Sequence, residues 1–181
     1  MSGAVDREEA GPAMSTWPIE RLQAFITAAR DRGQLEAARV VAQQHVYYDV
    51  DQPREVRRQW AMVSLLANRC MRGDGPGDPA REVQQDFMLR MWVIDHLGGD
   101  DKDPDWSPEG LAADTLDALA LAPSDVGTLA GNWRGLPVEQ IRELRRHKNL
   151  TTHLDRLISH LPSDRTRDQL LMWIETRRLL P

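Results

Sequence analysis

The stretch "PIERLQAFITAARDRGQLEAARVVAQQHVYY", from Pro18 to Tyr48, decides the fold class of this chain. Apolar residues recur in it at intervals of three and four, which places them on one face of a helix. The first set is Ile19, Leu22, Ile26 and Ala29, and the second is Leu35, Ala38, Val41, Ala42 and Val46. Since Gly33 separates the two sets, we predict two helices joined by a tight turn at this glycine, with Thr16 capping the first.

Some of these positions match a known helical repeat. The first helix of that repeat has large and small contact residues at the positions of Leu22, Phe25 and Ala29. Its turn and second helix match at Gly33, Leu35 and Ala38. In this respect the hairpin resembles one tetratricopeptide unit. The match has two departures, since His45 replaces a small residue and Pro53 comes late. No second copy follows at the 34-residue period of that repeat, and an array needs about three units, so we favour a generic helical hairpin.

The same helical periodicity continues to the end of the chain, and no pair of strands is indicated. We predict an all-α protein, either a helical bundle or an irregular array of αα-hairpins, with about eight to ten helices. Serines that precede three of the later helices are predicted to cap them. These are Ser107, Ser124 and Ser163.

The sequence divides into four predicted segments. Residues 1–14 are small, charged and marked by glycine and proline, which is typical of a disordered tail. Residues 15–97 form an N-terminal helical half of two hairpins, residues 98–108 an acidic linker, and residues 109–181 a C-terminal helical half. Charge is split in the second part of the chain: residues 98–130 carry a net −7 and residues 131–181 a net +4.

Composition narrows the class of protein. The net charge of −5 argues against indiscriminate coating of nucleic acid or anionic membrane. With one cysteine, Cys70, the chain has no internal disulfide, and no apolar run is long enough to cross a membrane. We therefore predict a cytoplasmic protein without a membrane partner. The 21 arginines against 2 lysines indicate a bacterium with a GC-rich genome.

The stretch "LAGNWRGLPVEQIRELRRHK", from Leu129 to Lys148, has the outline of a DNA-binding helix-turn-helix. Gly131 lies where close helix approach requires a small residue, four positions before Gly135 at the turn. Glu139 and Glu143 argue against DNA binding, because each lies three residues before an arginine and is expected to neutralise it. The candidate DNA-binding residues are Arg142, Arg145, Arg146 and Lys148.

No catalytic, metal or cofactor site is predicted. The first three ligand positions of an EF-hand calcium loop are matched by Asp101, Asp103 and Asp105. The glycine and the glutamate that such a loop requires further along are absent. His45 and Asp49 are spaced to meet on one helix face, which leaves a helical enzyme with a buried polar site as a further alternative.

We therefore expect a non-catalytic module for protein–protein interaction or regulation, an adaptor whose partner is another protein or a second copy of itself. A DNA-binding regulator that uses residues 129–148 is the alternative. The chain ends in a basic and apolar segment that is the candidate partner surface. Its residues are Arg177, Arg178, Leu179 and Leu180.

Overall fold

The computed structural model describes residues 14–73, 79–119 and 123–180. For residues 73, 79–80, 123–124 and 146 it describes the backbone alone. Within these ranges the chain forms nine α-helices and a short 3-10 turn, and no strand, which confirms the all-α prediction. The helices are α1 (Ile19–Ala28), α2 (Arg32–Tyr48), α3 (Arg54–Gly73), α4 (Pro79–Leu97), α5 (Pro108–Ala118), α6 (Pro123–Gly131), α7 (Val138–Thr151), α8 (Leu154–Ile158) and α9 (Arg165–Arg177).

The chain divides into two compact units, Met1–Glu82 and Val83–Pro181. In the first unit α3 packs against both α1 and α2. The apolar stripes predicted for the hairpin supply much of this core, although Ile19 and Ala29 are only half-buried. The buried members are Leu22, Ile26, Leu35, Ala38, Val41, Ala42 and Val46.

The turn between α1 and α2 lies earlier than the sequence predicted. α1 ends at Ala28, and Gly33 is already inside the first turn of α2. The reason is Asp31, whose side chain accepts a hydrogen bond from the backbone N–H of Gln34 at 3.0 Å and so starts the second helix. The cap predicted at Thr16 is also wrong, because Pro18 occupies the N-cap position of α1 and makes no side-chain cap bond.

Hydrogen bonds and an ion pair of buried polar side chains connect helices of the first unit. Asn68 of α3 donates from Nδ2 to the carbonyl oxygen of Glu82 at 2.6 Å. The buried carboxylate of Glu82 forms an ion pair with Arg32, which also donates to the carbonyl oxygen of Met71 at 3.1 Å. These bonds fix the first turn of α4 against α2 and the end of α3.

In the second unit α9 packs against four other helices, α5, α6, α7 and α8. Its inward side chains, Leu170, Trp173 and Ile174, belong to a continuous apolar core. The cap predicted at Ser163 is wrong by one residue, since Asp164 accepts the bond from the N–H of Arg167 at 3.0 Å. The predicted cap at Ser124 lies outside the described side chains.

Residues 98–107 form an ordered turn that packs within the second unit. Gly98 has a φ of +86° and ends α4 in the left-handed conformation that glycine tolerates. The buried guanidinium of Arg90 donates to the carbonyl oxygens of Pro104 at 2.6 Å and Asp105 at 2.8 Å. Trp106 is buried as well, so the acidic segment is attached to the core at both points.

α5 begins where the sequence predicted. The hydroxyl of Ser107 accepts a hydrogen bond from the N–H of Gly110 at 2.9 Å, which confirms the predicted cap. The segment 98–108 thus lies inside the compact unit that starts at Val83. That residues 15–97 and 109–181 fold as separate domains stays a prediction. Residues 1–13 of the predicted tail lie outside the described residues, while Met14 is buried.

Candidate interaction surfaces

The structure modifies the helix-turn-helix interpretation of residues 129–148. α6 and α7 are joined through a 3-10 turn at Trp133–Gly135, and Leu144 is buried as expected. Gly131, however, is exposed, and a Cβ added there would meet nothing within 4 Å. The close helix approach that was expected to require a small residue at this position therefore does not occur.

The four candidate DNA-binding residues have different surroundings. Arg142 and Arg145 are exposed on α7. Lys148 is half-buried, and its Nζ lies 3.4 Å from the carbonyl oxygen of Leu180 at the end of the chain. The side chain of Arg146 lies outside the described part of the structure. Of the three whose side chains the structure describes, Arg142 and Arg145 are thus placed where a ligand in solvent can reach them.

The two glutamates of α7 also differ from each other. Glu139 is exposed, and the described side chains include no ion pair between it and Arg142. Glu143 lies beside His147, with Oε1 3.3 Å from Nε2, while the pair predicted between Glu143 and Arg146 lies outside the described side chains. The neutralising pair predicted for Glu139 is absent, which leaves Arg142 more open than the sequence suggested.

His147 is an uncharged ring in the core of the second unit. Its side chain is 3% exposed and stacks on Trp173, with ring centroids 5.5 Å apart and planes at 7°. Neither ring nitrogen has a well-directed hydrogen bond among the described atoms. Burial lowers the pKa of His147, and the Glu143 carboxylate only opposes this shift, so the ring is neutral at pH 7.

We expect the free energy of unfolding to fall as the pH drops below about 6.5, the ordinary pKa of histidine. Below that pH the unfolded chain binds a proton at His147 that the folded ring resists. The contribution of His147 to the free energy of unfolding is therefore fully present above that pH and is lost progressively below it. His147→Phe keeps a flat ring against Trp173 but cannot titrate. Urea midpoints at pH 7.5 and 5.5 should show a smaller loss for this variant than for the wild type.

His96→Gln serves as the control for this experiment, because His96 is exposed and stacks only on Trp92 of its own helix. This control removes one imidazole from the surface and leaves the buried ring in place. If His147→Phe loses as much stability as the wild type between the two pH values, the neutral buried state of His147 is contradicted.

The outer face of α9 carries large apolar side chains in solvent. Leu171 is 41% exposed, Met172 55%, and Leu179, just after the helix, 58%. At about 100° per residue these three lie within one half of the helix circumference, opposite Leu170, Trp173 and Ile174. We call Leu171, Met172 and Leu179 the outer face of α9. Sequence reasoning had named only Leu179 of these three.

Two other members of the predicted terminal surface, Leu180 and Arg177, are held by the protein itself. Leu180 is buried in the core. Arg177 donates to the carbonyl oxygens of Thr151 and Thr152, each at 3.1 Å, and pairs with Asp155 at 3.0 Å, so it caps the end of α7. Arg178 is exposed beside Leu179. The accessible apolar surface therefore lies mainly on α9 rather than across the predicted segment 177–180.

The predicted meeting of His45 and Asp49 is confirmed. Nδ1 of His45 lies 2.6 Å from Oδ2 of Asp49, and the ring stacks on Trp60 at a centroid distance of 4.1 Å. A carboxylate on one ring nitrogen fixes the orientation of a histidine, as it does in general-base pairs. This pair by itself specifies no reaction.

Among the described residues, no three His, Cys, Asp or Glu side chains come close enough to hold a metal ion. Asp103 accepts from the N–H of Asp105 at 3.0 Å and so stabilises its own turn. No helix in the described ranges combines the length and apolar character needed to cross a membrane.

Comparison with models of protein families, with curated proteins and with solved structures finds no match.

Proposed function

We propose that this chain is a non-catalytic helical module, regulatory or adaptor in role, that binds another protein through the outer face of α9. The observation that carries the proposal is the exposure of Leu171, Met172 and Leu179 together on one side of a helix whose other side is fully packed. Because the inner face already anchors α9, the fold does not need Leu171 and Met172. Leu179 also lies beside α6, where a Cβ at Gly127 would come within 3.6 Å of its Cδ1. Exposed apolar groups that cluster in this way are typical of interaction sites.

The charges around this face indicate the kind of partner. Asp168 and Glu175 are exposed and lie on the same side of α9, one turn before and one turn after the apolar pair. The two carboxylates favour lysine or arginine opposite the centre of this face, and the exposed Arg165 and Arg178 favour acidic groups opposite its ends. The partner is therefore expected to have an apolar contact surface with both signs of charge at its rim. A methionine at the centre adapts its shape to such a surface.

The same charges disfavour pairing with a second copy. In an antiparallel pair of α9 helices centred between residues 171 and 172, Asp168 of each copy would lie opposite Glu175 of the other. Two facing carboxylates repel each other, so we propose a different protein as the partner. We place this interaction in the cytoplasm, in keeping with the single cysteine, Cys70, which is a free thiol.

The test is affinity capture from a lysate of the native host. The double variant Leu171→Glu/Met172→Glu adds two carboxylates to the outer face of α9. The matched control, Val40→Glu/Tyr48→Glu, adds them at exposed apolar positions of α2. We expect wild type and control to capture the same protein, identified by mass spectrometry, and the α9 variant to capture at least ten-fold less of it.

Two results would contradict the proposal. Equal capture by the α9 variant and the control would remove the outer face of α9 from the interaction. A dimer that forms in sedimentation experiments, and that Leu171→Glu/Met172→Glu abolishes, would assign this face to self-association instead. Thermal unfolding of both variants is measured in parallel, since surface changes of this kind are expected to shift stability by only about 0.5 kcal/mol.

A further inference from the structure

A ridge of four exposed side chains runs along α7. Val138, Arg142, Arg145 and Asn149 are spaced by four, three and four residues, which places them in one line on the helix surface. Val138 is 64% exposed, and the other three are exposed as well. The opposite side of α7 is held in the core through Leu144, His147 and Thr151. We call the four exposed residues the α7 ridge.

The ridge is more basic than the residue order of the helix suggests. Glu143 lies toward the side of α7 that carries His147, with its Oε1 3.3 Å from that ring. Glu139 is exposed but is rotated by about 100° from Val138. In the turn before the helix, the guanidinium of Arg134 lies 5.7 Å from the ring centroid of the exposed Trp133. Among the described side chains of residues 134–149, three exposed arginines therefore stand against one exposed carboxylate, Glu139, and one half-buried carboxylate, Glu143.

We infer that the α7 ridge binds double-stranded DNA by lying in the major groove. The ridge spans twelve residues, or about 16 Å, and an α-helix fits the width of that groove. Its side chains have the chemistry that reads base edges there: arginine pairs with guanine, asparagine with adenine, and an apolar side chain contacts the thymine methyl group. Arg134 is placed in the adjoining turn, where a phosphate contact fixes the position of a docked helix.

This inference does not depend on the outer face of α9 or on a protein partner. It also does not require the close packing of α6 on α7 that is absent at Gly131. What it requires is that α7 stays fixed while its ridge is open to solvent, and the buried side of the helix meets the first condition.

The test is fluorescence anisotropy with the full chain and a labelled 30-base-pair duplex of random sequence at several salt concentrations. We expect Arg142→Ala/Arg145→Ala to weaken binding at least ten-fold, because two arginine–base contacts are lost. Arg134→Ala should lower the salt slope by about 1, the change expected for one lost phosphate contact. The matched control is Arg165→Ala/Arg178→Ala, which removes the same charge from exposed positions of α9 and should bind like the wild type. Glu139→Gln should bind about three-fold or more tightly, because it removes the exposed carboxylate beside the ridge.

Three results would overturn the inference. The first is no binding of the duplex at 20 mM salt. The second is an equal loss of affinity in Arg142→Ala/Arg145→Ala and Arg165→Ala/Arg178→Ala, which would reduce the effect to net charge. The third is single-stranded RNA or heparin bound as tightly as duplex DNA, which would exclude recognition through the groove. None of these measurements changes with the binding of a protein to α9.

Discussion

Replacing Gly110 by alanine is expected to lower the free energy of unfolding by about 3 kcal/mol. A Cβ at this position of α5 would lie 2.8 Å from the carbonyl carbon and 2.9 Å from the Cα of Pro104, closer than carbon atoms pack. These are backbone atoms, and Arg90 holds the same segment through the carbonyl oxygens of Pro104 and Asp105. The segment cannot withdraw without breaking those bonds. Thermal unfolding should show a melting temperature about 6–12 °C lower.

Gly131→Ala is the matched control for this change. It is also a glycine at a helix position, but a Cβ there meets nothing within 4 Å. Alanine favours the helix by about 0.5–1 kcal/mol over glycine, so we expect Gly131→Ala to be neutral or slightly stabilising. A Gly110→Ala protein as stable as the wild type would contradict the tight packing of residues 98–107 on α5.

Replacing Trp173 by alanine is expected to cost about 3–5 kcal/mol, the range for a large side chain removed from a packed core. Trp173 is buried on the inner side of α9, the helix that packs against α5, α6, α7 and α8, and it forms the ring surface on which His147 stacks. Its loss leaves a cavity and removes the partner of a buried polar ring. Urea unfolding followed by far-UV circular dichroism measures the cost independently of tryptophan fluorescence.

Met172→Ala is the control on the same helix, since this neighbour of Trp173 points outward. We expect its effect to stay within about 0.5 kcal/mol. A Trp173→Ala cost below about 1 kcal/mol, or a similar cost for both substitutions, would contradict the assignment of an inner and an outer face to α9.

The fold class and many of the helices could be predicted from the sequence because apolar periodicity is local. Leu22 and Ile26, or Leu35 and Ala38, repeat at helical spacing whatever packs against them. Helix ends were predicted less well, because neighbouring residues compete for the same role. Gly33 is a good terminator and Ser163 a good cap, but Asp31 and Asp164 supply a carboxylate at the position that the backbone N–H groups reach.

The exposed surfaces could not be predicted from the sequence, because they depend on tertiary contacts that no local pattern contains. The run of five apolar residues from Leu170 to Ile174 does not indicate which members face outward until the positions of α5 to α8 are known. Trp106 was the only available signal that residues 98–108 pack as part of a core, since a bulky ring is rare in a solvated linker. The buried contacts of Arg90 with Pro104 and Asp105 span fourteen and fifteen positions and have no sequence signature.

The central claim is that the outer face of α9 binds another protein, and site-specific photo-crosslinking in the native host tests it most directly. Benzoylphenylalanine replaces Met172 in one protein and Tyr48, which is exposed in the first unit, in another. We predict that irradiation joins the chain to one different protein from position 172 and to none from position 48. An adduct from position 48 alone, an adduct of two identical chains, or no adduct from position 172 would contradict the claim.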